Sequence, residues 1–111
     1  MNKLFEIIPW MKRQTIMDQL ICRIAKRSQN AVWQRVENQC MTMCPAEARG
    51  YIRVRAASVV GRELNVAMGS KPEFANETDH ILDAALDRVV RSILAHVRAL
   101  HVQPVRARRA A

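Results

Sequence analysis

The chain has 111 residues, half of them hydrophobic, with a net charge of +8 and only three glycines and four prolines. That length suits one domain with a single modest core, and the apolar content excludes a disordered chain. Few turn-forming residues and an abundance of Ala, Val, Leu, Ile, Arg and Met point to an all-α fold: a small single-domain bundle of three or four helices with a short basic C-terminal tail.

Pro9 suits the first turn of a helix, and Trp10, Met17, Leu20, Ile21 and Ile24 then recur at helical steps, predicting a helix over about residues 9–28. Its opposite face carries Lys12, Arg13, Asp18, Arg23, Lys26 and Arg27. Ser28-Gln29-Asn30 reads as a weak break, with Asn30 placed to cap a second helix over about 30–43 whose stripe is Trp33, Val36, Cys40 and Met43. Pro45 opens a third helix to about Met68. Within it Ile52 to Ala56 alternates as a half-buried strand would, but Ala48, Ile52, Ala56, Val59 and Val60 share a helical face, so helix is the expected form. Ala57 and Gly61 read as a small-residue pair for close helix packing.

Met68 to Pro72 is the clearest break, with Gly69 placed as a helix C-cap. The final helix has the most regular stripe, through Leu82, Leu86, Val89, Val90, Ile93, Val97 and Leu100, with Asn76 as its expected cap and Pro104 as its expected stop. This helix is expected to be the central packing element. The domain is thus expected to cover residues 1–102, with 103–111 a mobile basic tail.

Charge is distributed in blocks. Residues 1–62 carry a net +7, residues 63–87 a net −5, and residues 88–111 a net +6. In the last helix, acids precede bases in the order the helix dipole favours, so part of the basic signal is structural. The remaining arginines are the candidate phosphate-binding residues: Arg49, Arg53, Arg55 and Arg62, with Arg106, Arg108 and Arg109 of the tail. Guanidinium groups bind phosphate oxygens in pairs, and clusters of them supply the salt-sensitive part of nucleic-acid affinity. The competing reading sets the same arginines against the acids of Glu63 to Asp87.

Other chemistry has little behind it. Cys40 and Cys44 would share a helix face, but two thiols with no CxxC knuckle do not make a zinc site. His80, Asp83 and Asp87 share a face suited to an ordinary solvated helix start, and Asp87 can pair with Arg91 one turn on. There is no nucleophile elbow and no phosphate loop. No catalytic residue, cofactor or metal is therefore expected, and the protein is read as non-enzymatic. An odd cysteine count favours a reducing, cytoplasmic setting. No stretch is long and apolar enough to span a membrane. Two partner classes stay open: an acidic polymer, nucleic acid being preferred, or a partner helix, from self-association or from another protein, that would make this chain a structural or interaction subunit.

Overall fold

The computed structural model describes the backbone of residues 2–110 and the side chains of residues 11–102. Three α-helices form an antiparallel bundle: α1 Asn2–Cys40, α2 Pro45–Met68 and α3 Thr78–Ala110, with a 3₁₀ helix, Pro72–Glu77, leading into α3. All-α architecture is thus what the chain adopts, and the segment after Gly50 is helix, not strand. No helix among the described residues is long and apolar enough to cross a membrane.

The two N-terminal helices expected from the sequence are one. Ser28 lies inside α1, fully buried, and its hydroxyl donates to the Ile24 carbonyl at 2.7 Å. A serine satisfied by its own helix one turn back needs no break in the ladder. Val32 and Val36 continue the buried stripe of Leu20, Ile21 and Ile24 without interruption, so burial on both sides of Ser28 outweighs the weak breaking tendency of Gln29 and Asn30. The same helix also begins before Pro9, at Asn2.

α1 closes in a turn in which the Met43 amide donates to the Cys40 carbonyl at 3.3 Å. Cys44 is extended, and Pro45 takes the first turn of α2, where its missing N–H costs nothing. At the other end of α2, Gly69 is the C-cap but keeps a right-handed backbone, with φ −60° and ψ −31°. The final turn tightens instead: the amides of Gly69, Ser70 and Lys71 donate three residues back, to Val66, Ala67 and Met68. The 3₁₀ helix then takes up Asn76, so α3 begins at Thr78, past the expected cap. The backbone of α3 also continues beyond Pro104, whose fixed φ is itself helical. The expected mobile tail at 103–111, with Arg106, Arg108 and Arg109 as phosphate ligands, lies outside the residues whose side chains are described.

The core runs the length of α2. Ile24, Val32 and Val36 from α1, Ile52, Ala56 and Val60 from α2, and Ile81, Val89 and Ile93 from α3 are all essentially inaccessible to solvent. Each helix packs on both others to a similar extent, so α3 is not the central element. Its stripe is rotated slightly from the expected one: Ile81 is fully buried while Leu82 is only half-buried. Ala57 is exposed, and a Cβ at Gly61 would meet nothing within 4 Å, so this small pair does not serve helix contact. Ala48, Ala56 and Ala85, all buried, hold that role.

Phe74 plugs the end of the bundle where the 3₁₀ helix sits. The Arg13 guanidinium lies over its ring at 4.7 Å, pairs with the Glu77 carboxylate at 2.8 Å and donates to the Glu73 carbonyl at 3.2 Å. One base of the N-terminal block is thereby used to secure the 3₁₀ helix.

Candidate polyanion interface

The four candidate arginines of α2 fall on two sides of the helix. Arg49 and Arg53 face α3. Arg53 pairs with Asp83 at 3.2 Å and with Asp87 at 2.8 Å, and Arg49 lines a small groove with Arg53, Asp87, Val90 and Arg91. Asp87 thus reaches across to α2, in place of the expected partner Arg91 on its own helix. The sequence block that makes α3 acidic at its start is therefore met by Arg53. All three side chains of this cluster are substantially exposed, so water screens it and its worth is small. Arg53→Ala is expected to cost less than about 1 kcal/mol in a urea titration, with the difference shrinking as salt is added.

Arg55 and Arg62 lie away from α3. Arg55 sets its guanidinium over the Tyr51 ring, 5.2 Å from the centroid, and Arg62 is exposed one turn beyond Ser58. Along the seam with α1, the Tyr51 hydroxyl donates to the Gln39 carboxamide, and Arg35 donates to the Ser58 hydroxyl at 3.1 Å. Arg35 is one of a row. Arg23, Arg27, Ala31, Arg35 and Gln39 follow at four-residue steps and all are exposed; adjacent members share a face, while each further step turns about 40° around the helix. Gln39 and Arg35 meet α2, whereas Arg27 and Arg23 line a shallow groove on α1 itself with Gln19, Cys22 and Lys26.

Arg35 of α1 and Arg55 of α2 thus share one groove at the seam, with Arg62 exposed further along α2 and Arg23 and Arg27 exposed further along α1. None of these five is in an ion pair among the described residues. On α2, Glu47 accepts a hydrogen bond from the Cys44 thiol, and Glu63 is half-buried. Sequence reasoning singled out Arg55 and Arg62 but not Arg23, Arg27 or Arg35. Their four-residue spacing was readable, and the expected break at Ser28 to Asn30 hid it by dividing the row between two helices.

The other candidates do not assemble. Cys40 is fully buried at the end of α1 while Cys44 is exposed beyond the turn, so the two thiols do not share a face. The helix ends between them, which removes the spacing argument. Among the described residues no three metal-binding side chains come together. Burial pushes the Cys40 thiol above its ordinary pKa, with a smaller contribution from the nearby Glu37 charge, while its backbone hydrogen bond acts the other way. The folded state thus holds this proton more tightly than the unfolded chain. The associated stability is complete below the ordinary thiol range and declines as pH rises through it. In iodoacetamide labelling at pH 8, read by peptide mass, Cys44 is expected to react promptly and Cys40 only as fast as the protein opens.

Trp33 is half-buried in a groove between α1 and α3, edge-on to His96 with ring centroids 4.6 Å apart. It contributes to the core margin and stands apart from the arginine row. Comparison of the chain with protein-family models, curated proteins and solved structures finds no match.

Proposed function

We propose that this protein is a small, non-enzymatic, basic helical module that binds an acidic polymer, nucleic acid in particular, along the seam between α1 and α2. The observation that carries this reading is the division of the arginines. Arg13 and Arg53 are matched to acids, whereas Arg23, Arg27, Arg35, Arg55 and Arg62 are exposed on α1 and α2 without ion-pair partners among the described residues. Unmatched like charges on packed helices repel one another, and a polyanion relieves that repulsion while releasing its own counterions. Among the described residues, the large apolar side chains left exposed, Met11, Val54, Val66 and Val102, are scattered over all three helices, which supports a charged docking surface over an apolar one there.

The test is binding of mixed-sequence DNA and RNA oligonucleotides, followed by fluorescence anisotropy as salt is raised from about 50 to 200 mM. The expected result is binding at low salt that weakens with a log–log slope of about −3, as for four or five neutralised phosphates on a single strand. Absence of binding at the lowest salt would remove the proposal.

A further inference from the structure

One place on this face is built for something other than a phosphate. Tyr51 is half-buried, and its hydroxyl is bonded to Gln39 across the seam, so the ring is held at the backbone and at its far end. The Arg55 guanidinium carbon lies over that ring, 5.2 Å from its centroid, within the range of a cation–π contact. Beside the pair lie Gly50, where a Cβ would meet nothing within 4 Å, the exposed Val54, and Ser58 with its bonded Arg35. Together these residues line an open groove of about 750 Å³.

Arg55 is exposed beyond its contact with the ring, so its guanidinium and the ring together are open to a further planar group. Planar Arg groups and aromatic rings are the surfaces on which unpaired bases stack, and stacking is indifferent to sequence because every base has a π-face. A duplex hides those faces and offers only its edges and phosphates. Gly50 keeps the groove floor low beside the stack, and the Ser58 hydroxyl fixes Arg35 at its rim, where the donors not used by Ser58 suit a phosphate. We infer that this groove takes an unpaired base on the Arg55–Tyr51 stack, and that the α1–α2 face prefers single-stranded over double-stranded nucleic acid.

This inference rests on the polyanion reading, and its test separates the two. The full chain is titrated into a labelled single-stranded 15-mer and into the duplex of the same sequence at matched salt. The single strand is expected to bind about tenfold more tightly, the scale of one stacked base. Tyr51→Leu is expected to remove that preference while leaving duplex affinity and its salt slope at the parent values. Arg55→Lys, which keeps the charge and loses the plane, is expected to do the same, and thermal melts confirm that each variant is folded. Equal affinity for the two forms, tighter binding of the duplex, or a Tyr51→Leu variant that weakens both alike would each overturn the inference while leaving the polyanion reading in place. Binding of neither form at low salt would end both.

Discussion

Leu86→Asp is expected to leave the chain largely unfolded at 25 °C. Leu86 is buried on α3 in the same apolar cluster as Ile52, Val60 and Val89. The only buried polar residue among those described is Ser28, which is satisfied within its own helix, so the core has no donor to offer a carboxylate. An uncompensated charge in such a setting costs about 3–5 kcal/mol or more, against a total stability of about 5–15 kcal/mol for a domain of this size. Leu82→Asp is the informative comparison. Leu82 is half-buried, and its carboxylate would reach water, so a markedly smaller loss is expected. Far-UV circular dichroism melts and urea titrations of both variants check the ranking. A Leu86→Asp protein that melts like the parent would show that this face of α3 is not core.

The second large effect is on binding. Changing Arg27, Arg35 and Arg62 to Glu together reverses the charge of the α1–α2 seam without touching a buried residue, since all three are exposed. Nucleic-acid affinity at 50 mM salt is expected to fall by at least about a hundredfold, and the single-strand salt slope to lose about two units, roughly 0.7 for each phosphate contact removed. The control carries the same change in net charge elsewhere, with Arg88, Arg91 and Arg98 of α3 changed to Glu. It separates a local interface from general attraction by a basic protein. Equal losses in the two triple variants would count against a face on the seam. Melting curves for both are expected to lie close to the parent, because substitutions at exposed positions away from special features usually shift stability by about 0.5 kcal/mol or less each.

What the sequence disclosed and what it hid follow from the range of the forces involved. Pro45 and the stripe Ala48, Ile52, Ala56, Val59 and Val60 placed α2 correctly, because a proline stop and a buried face are written within a few residues. The opposite happened at Ser28 to Asn30. Three locally indifferent residues read as a break, and only packing against α2 and α3 of the stripes on both sides makes the helix continuous. The C-cap at Gly69 was legible as well, although the cap keeps a right-handed backbone, since glycine permits a left-handed residue without requiring one. For the site, composition showed how much positive charge there was but not which charges had partners. Arg53 and Arg55 are two residues apart and look alike in sequence, yet the fold turns one to Asp83 and Asp87 and the other to Tyr51.

The continuity of α1 also sets a length. At 1.5 Å per residue, the twelve residue steps from Arg23 to Arg35 measure roughly 18 Å along one continuous helix. Successive phosphates on one strand of a stacked helix lie about 3.4 Å apart along its axis, so the row matches the reach of about five of them. Two helices hinged at Ser28 would let Arg23 and Arg27 swing independently of Arg35, and a bound polymer would meet a variable spacing. A single helix makes the spacing between Arg23 and Arg35 a constant of the protein, so that under the proposed function it would set how many nucleotides one copy covers.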